Sequence, residues 1–289
     1  TLLVRYSLLH ETDVLPAGFD LGFDEIALPT ANPVNAKALR IADPRGAEPR
    51  ETAYTRSPSP VTILCDDSRI VLHNDRFRYV LDRRTGLFSH MSAGNRDILI
   101  RPMELNVWRA PTDNDQYIRH EGHRPHYDHA YARAYSANVV RPSFADGRPG
   151  SRSTCEPVRI ESTMAVVAPV VQRIADIDTV WTISPQGAVH LSMDVRRNTD
   201  FPFLPRFGLR LMLPKSMDAV EYCGLGPNES YVDKRRSSYH GVFHATTRTL
   251  FEPYIKPQEN GNHHDCDWAA IGNRTSHCSP QGTSTANGI

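Results

Sequence analysis

The residues from His120 to His129, HEGHRPHYDH, place a histidine at every third position: His120, His123, His126 and His129. Imidazole titrates near neutral pH and is the commonest nitrogen ligand for metals. The run therefore poses two chemistries, a metal centre or a proton-transfer centre. A spacing of three suits one stripe of a helix, but Gly122 and Pro125 lie inside the run and interrupt it. Four ligands along one stripe also differ from zinc sites, which gather donors from separated elements. The run reads as a partly exposed loop, with no metal ligand assigned and hydrogen bonding to sugar hydroxyls as a lesser role.

Two further motifs carry chemistry. GLGP, Gly224 to Pro227, contains a GxG, but Pro227, Asn228 and Glu229 follow where a dinucleotide loop needs a third glycine opening a helix. PNES, Pro227 to Ser230, holds the Asn-Glu pair that many retaining glycosidases use, with Glu as acid/base. Such a mechanism needs a second carboxyl roughly 5–5.5 Å away, and no second motif-like Glu accompanies Glu229. Glu229 reads first as a loop residue, with the acid/base role as its alternative.

The elements that position these residues are strands. LLVRYSLL (2–9) and GFDEIAL (22–28) read as two short strands of one unit. A stretch punctuated by Pro29, Pro33, Pro44, Pro49, Pro58 and Pro60 reads as a linker over 31–60. VTILC and RIVLH are short apolar runs, and Phe77, Tyr79 and Leu81 alternate before a hairpin turn at Arg83–Gly86. A second hairpin is predicted from Ile177 to Val195, turning at Ser184–Gly187. Its return strand puts Val189, Leu191, Met193 and Val195 on a core face. Proline, 22 of 289 residues, falls too often for long helices. Only Asp128 to Ser136 offers a short one, with Asp128 as N-cap. Residues 141–157 read as a surface loop, and the polar stretch from Ile271 onward as a disordered tail. The fold class is all-β, a sandwich with long loops.

Bulk properties narrow the function classes. Lys+Arg and Asp+Glu both total 33, so no net field draws the chain to nucleic acid or anionic lipid. No run approaches the roughly 18 apolar residues of a membrane span. The five cysteines are dispersed, with no CxxC pair, which favours a reducing, cytoplasmic compartment over a zinc ribbon or a disulfide framework. The chain opens mid-strand, without Met or leader, and Thr1 reads as a cut end.

Three segments, LNVWRAPTDND (Leu105–Asp115), GLGPNESYVDKR (Gly224–Arg235) and PYIKPQENGNHHDCDW (Pro253–Trp268), together resemble the C-terminal part of a glycoside hydrolase family 2 β-galactosidase. Their order and approximate spacing match the family. SLLHETDVLPAGFDLGFDEIALP resembles the closing strands of the immunoglobulin-like domain that precedes it. The resemblance implies immunoglobulin-like tail strands over 1–30 and, over 61–270, an incomplete antiparallel supersandwich related to aldose mutarotases. Residues 271–289 fall outside it as a non-family tail. It implies structural roles for Trp108, Arg109, Pro111, Asp113, Asn114, Asp115, Gly224, Gly226, Pro227, Tyr231, Asp233, Arg235, Pro257, Gln258, Glu259, Asn260 and Gly261. The Asn-Glu pair of PNES then becomes structural.

In the family the residues after RAPTDND form a mobile loop at the rim of the galactoside pocket. That places Asp115, Gln116, Tyr117, Ile118 and Arg119 at the rim, although this chain has Gln-Tyr where the family usually has Ile/Arg-Gly. The resemblance puts both catalytic glutamates, and the magnesium and sodium sites, on an upstream (β/α)8 barrel. No catalytic residue, metal or cofactor is then expected on this chain. The implied partners are that barrel domain or large chain, a β-galactoside, and further copies in a homo-oligomer. The tryptophan that stacks on the sugar would follow Trp268 in the family. Without the strands around it one sandwich edge is expected to lie unpaired; a frameshift or gene-model error near Ile271 would account for that. The isolated chain is expected to be inactive. Two readings of other classes are a non-catalytic carbohydrate-binding module and a mutarotase-like epimerase, which would need a His and a Glu facing each other in the sandwich cleft.

Overall fold

Apolar side chains recurring at every second position set the architecture, because a strand can bury only one of its faces against a single neighbouring layer. The computed structural model describes residues 2–28, 59–140 and 152–273. It opens with β1 (Leu2–Ser7) and β2 (Asp20–Ile26), an antiparallel hairpin in which Leu2 faces Ile26. Then follow β3 (Val61–Cys65), β4 (Arg69–His73), β5 (Phe77–Asp82), β6 (Leu87–Ala93), β7 (Arg96–Asp97) and β8 (Glu104–Asn106). A short helix, α1 (Arg119–His123), precedes β9 (Tyr131–Val140), β10 (Arg152–Thr154), β11 (Val158–Val167), β12 (Ala175–Ile183) and β13 (Val189–Arg197). The described chain ends through β14 (Gly208–Arg210), β15 (Ala219–Gly226), β16 (Tyr239–Thr246) and β17 (Trp268–Gly272). Every pairing is antiparallel. The all-β expectation holds.

Two sheets make the sandwich, ordered β10-β3-β4-β5-β6-β7 and β13-β12-β11-β9. Along β12, Ala175, Ile177, Thr179, Trp181 and Ile183 are buried while the residues between them are half-buried. Trp181 shows why both sheets are needed: its ring meets Phe88 of β6 edge-on at 4.9 Å. Its Nε1–H donates to the Gly86 carbonyl at 3.1 Å, so the buried indole leaves no polar atom unpaired. Gly86 closes the β5–β6 hairpin at a φ of +72°, a left-handed geometry that glycine adopts without penalty. The Tyr79 hydroxyl crosses the core to the Gly187 carbonyl at 2.8 Å, tying the first hairpin to the second. The buried hydroxyls of Ser162 and Thr179 satisfy each other at 2.6 Å.

Both predicted hairpins form. β5 returns through β6, and β12 through β13, whose Val189, Leu191, Met193 and Val195 lean on the core while His190, Ser192 and Asp194 are exposed. The strands expected over 2–9 and 22–28 also pair.

Three expectations fail. Asp128–Ser136 is not a helix: Tyr127–His129 is a 3-10 turn, and β9 begins at Tyr131. The predicted 141–157 loop contains β10, paired to β3 with Ser153 opposite Thr62. The polar tail does not begin at Ile271, since Ile271 and Gly272 pair with Val220 and Ala219 in β17. Backbone pairing to β15 overrides the weak strand propensity of that glycine. The predicted linker over 31–60 lies outside the described residues up to Pro58, as does the predicted tail from Arg274.

A smaller sheet, β16-β15-β17, carries the GLGP and PNES segments at one end of β15. The β1–β2 hairpin reaches it through the Phe23 ring, 5.0 Å from Tyr239, and through Glu25, which accepts the His240 N–H at 3.2 Å. Among the described residues no helix is long and apolar enough to cross a membrane.

Candidate functional site

The three segments picked out in the sequence meet in space, each bonded to the other two. Strand β8 delivers the first: its pairing with β14, Leu105 opposite Leu209, aims the chain toward Trp108 and Arg109. After it the backbone turns through a 3-10 turn at Asp113–Asp115, where the Thr112 N–H donates to Asp115 Oδ2 at 3.0 Å. From this turn Asn114 donates to Asp233 of the second segment at 2.9 Å. The Asp113 N–H donates to the Pro257 carbonyl of the third at 2.9 Å, with Lys256 3.4 Å from the Asp113 carboxylate.

The second and third segments zip together through backbone. The Ser230 N–H donates to the Asn262 carbonyl and the Asn262 amide returns a bond to the Ser230 carbonyl, both at 2.8 Å. Tyr231 reaches Gln258 at 3.3 Å, Arg235 pairs with Asp265, and Asn260 is bonded to the Glu252 backbone. Gly224 has no room for a side chain, since a Cβ there would sit 2.6 Å from Cys266 Sγ. Pro227 follows Gly226 through a cis peptide.

Glu229 lies inside this zip and is 4% exposed. One carboxylate oxygen accepts from Lys234 Nζ at 3.0 Å, the other from the Gly261 N–H at 3.0 Å. Gly261 holds a φ of +72° against the Leu250 carbonyl, which fixes the N–H that serves Glu229. Both oxygens are taken, so the geometry is that of a structural tie between two loops.

Arg109 makes a second tie, from the first segment to the third. Its guanidinium is 3.0 Å from Asp115 and 3.5 Å from Glu259, and Arg206 also pairs with Glu259. The two carboxylates are largely shielded, with side chains 14% and 12% exposed. Burial alone raises the Asp115 carboxyl pKa, but the Thr112 N–H and the Arg109 guanidinium together outweigh it and hold the group below the ordinary aspartate range. Arg109, Gln258 and Glu259 line an open cleft of about 910 Å³ floored by β8 and the start of β9.

None of the expected rim residues lines this cleft, though Trp108 and Arg109 line both it and a smaller hollow. Tyr117 is 85% exposed, and Gln116 and Arg119 also face solvent. Ile118 and Arg119 border that hollow, of about 80 Å³, with Trp108, Pro111, Asp115 and Phe203.

The histidine run does not become one stripe. Helix α1 accommodates Gly122, because a Cβ at that position would meet the Trp108 ring at 2.8 Å. Pro125 follows the helix rather than breaking it. His123 lies tilted against Trp108 with rings 5.0 Å apart, and His123 and His129 flank Asp128 at 3.4 and 3.6 Å. Among the described residues none of the four joins a convergent set of metal-ligand atoms. A different trio does: Cys223, His240 and Asp267. No sequence pattern marks it, because its members lie on two strands and just before a third, 17 or more residues apart.

The comparisons agree with this geometry. The family described as beta galactosidase small chain matches residues 73–286, a span that continues past Ile271. A β-galactosidase of Actinobacillus pleuropneumoniae is 34% identical over 267 residues, covering 92% of this chain and 24% of its own length. One from Staphylococcus xylosus is 25% identical over 270 residues, covering 93% and 24%. One from Lactobacillus delbrueckii subsp. bulgaricus is 28% identical over 209 residues, covering 71% and 19%. The chain therefore spans about a quarter or less of the length of these relatives. With three interlocked segments on an antiparallel sandwich and a family match over most of its residues, the chain belongs to the β-galactosidase small-chain family.

Proposed function

We propose that this chain is the C-terminal portion of a β-galactosidase that hydrolyses terminal, non-reducing β-D-galactose by a retaining mechanism. In this reading it shapes the rim of the substrate pocket and carries subunit contacts of a homo-oligomer. The acid and the nucleophile come from a barrel domain or large chain, and magnesium and sodium are assigned to that same barrel.

One observation carries the reading: the shielded carboxylates of the motif assembly are already committed. Retaining hydrolysis needs one carboxyl able to hold a proton and a second free to attack the anomeric carbon. Glu229 is bonded through both oxygens, and Asp115 and Glu259 are neutralised by guanidinium groups. The Asp115 carboxyl, held below the ordinary aspartate range by Thr112 and Arg109, is a poor proton donor. It is also a poor nucleophile, because attack would break its ion pair. Exposed Tyr117, and half-exposed Ile118 at the hollow it shares with Trp108, suit a surface that meets a substrate or another domain.

A chromogenic β-galactoside tests the division of labour. The whole enzyme should turn it over, and this chain purified alone should not. Turnover by the chain alone, above that of a heat-denatured control, would defeat the proposal.

A further inference from the structure

The register of the small sheet brings together three donors that the galactosidase reading does not use. Cys223 lies on β15, His240 on β16, and Asp267 immediately before β17. Leu225 pairs with His240 and Cys223 with Trp268, so Cys223 and His240 share one face, two positions apart along neighbouring strands. The Asp267 N–H donates to the Cys223 carbonyl at 2.8 Å, which anchors the aspartate beside the thiol.

The separations match a coordination polyhedron. Tetrahedral zinc with bonds of about 2.0–2.3 Å requires roughly 3.4 Å between nitrogen and oxygen ligands and roughly 3.6 Å between sulfur and oxygen. His240 Nε2 stands 3.2 Å from Asp267 Oδ2, and Cys223 Sγ stands 3.8 Å from the same oxygen. All three donor atoms lie within 4.8 Å of one another. Closing them onto an ion takes rotamer adjustments that the 43% exposed His240 and 68% exposed Asp267 side chains can make.

We propose that Cys223, His240 and Asp267 form a three-ligand site for a divalent cation of the zinc class, with its fourth position open to solvent. The donor set decides the metal. A thiolate with an imidazole suits zinc, for which cobalt(II) can stand in as a spectroscopic probe, and disfavours magnesium and calcium, which take oxygen. A dication on one thiolate, one carboxylate and one neutral imidazole leaves no net charge at the site, and loading releases the thiol proton to solvent. The ion fastens three strands of one sheet, and does so where Glu25 of the N-terminal hairpin caps the His240 backbone. Its role is a clasp on the sheet that carries GLGP and PNES, rather than a step in sugar hydrolysis.

Cobalt(II) titration of the intact protein, metal-free and reduced, tests the site. One equivalent should give a thiolate-to-cobalt charge-transfer band in the near ultraviolet and visible d–d bands of tetrahedral intensity, and zinc should displace both. Cys223→Ser should abolish the charge-transfer band. His240→Gln and Asp267→Asn should each weaken binding and change the d–d pattern. Cys266→Ser, next to the site but not in it, should leave the spectrum intact. Zinc should also raise the melting temperature of the parent and of Cys266→Ser, but not of Cys223→Ser. Four results would overturn the site: no band, a band that survives Cys223→Ser, a band lost with Cys266→Ser, or a spectrum unchanged by either of the other two substitutions. The trio would then be a surface ion pair with a thiol beside it. Circular dichroism of each variant, matched to the parent, keeps misfolding out of the comparison.

Discussion

Trp181→Ala will lower the stability of the sandwich by about 3–5 kcal/mol, the range for deleting a large buried aromatic side chain. Three losses combine. The indole is 2% exposed, and its removal opens a cavity between the two sheets. The edge-on contact with Phe88 disappears, and the Gly86 carbonyl at the β5–β6 turn loses its donor. A domain of this size is stable by only about 5–15 kcal/mol, so the urea midpoint should fall by a large fraction of its value. Trp181→Phe keeps most of the ring packing and should lose clearly less. Equal losses for the two would mean that the hydrogen bond dominates, and a loss below about 1 kcal/mol for alanine would mean that the sheets do not meet here.

Arg109→Met should cost about 2–3 kcal/mol at neutral pH. That figure lies between exposed ion pairs, worth at most about 1 kcal/mol, and fully buried ones, which cost about 3–5 kcal/mol when one partner is removed. The guanidinium is 28% exposed, hence the intermediate value. Its loss leaves Asp115 with Thr112 alone, while Glu259 keeps Arg206. The pH dependence follows from the sign of the Asp115 shift. A carboxyl whose pKa is depressed in the folded state adds stability above its unfolded value of about 3.9, and that stability is lost as pH falls through the folded value. In the variant, acid instead relieves a stranded carboxylate. Urea midpoints of parent and variant should therefore differ most near pH 7 and converge below about pH 4. A gap that stays constant across that range would remove Asp115 from the explanation.

What could be read in the sequence, and what could not, divides along physical lines. β12 and β13 were legible because alternation runs unbroken through Trp181 and again from Val189 to Val195. β9 was not, and its register shows why. Ser136 pairs with Thr163 and Ala134 with Met164, leaving Tyr135 as an extra residue in a bulge. The inward positions run Ala132, Ala134 and then Ala137, Val139, so the period of two slips by one and imitates a helix. Small alanines at these inward positions also gave little hydrophobic signal. β10 was hidden by its polar residues Arg152, Ser153 and Thr154, which become a strand only through pairing with β3.

The motif segments could be named from their order, but their mutual bonding could not. Neither the reciprocal Ser230–Asn262 pair nor the capture of Glu229 by Gly261 leaves a local trace. The same holds for the Cys223, His240 and Asp267 trio, which exists only once strand register is fixed. The histidine run drew attention by its spacing, yet it divided between helix, connector and 3-10 turn, with Asp128 as a shared neighbour.

Steady-state turnover by the whole enzyme carrying Glu229→Gln is the most direct probe of the claim that this region builds walls and leaves bond cleavage to other residues. Glutamine keeps one acceptor oxygen, so it can serve Gly261 or Lys234 but not both, and it lacks the charge. The melting temperature should therefore drop while kcat stays within about threefold of the parent, a barrier change under about 0.7 kcal/mol, with both limbs of its pH profile in place. A fall in kcat of several orders of magnitude at unchanged melting temperature, with one limb of the pH profile gone, would make Glu229 a proton donor and contradict the account.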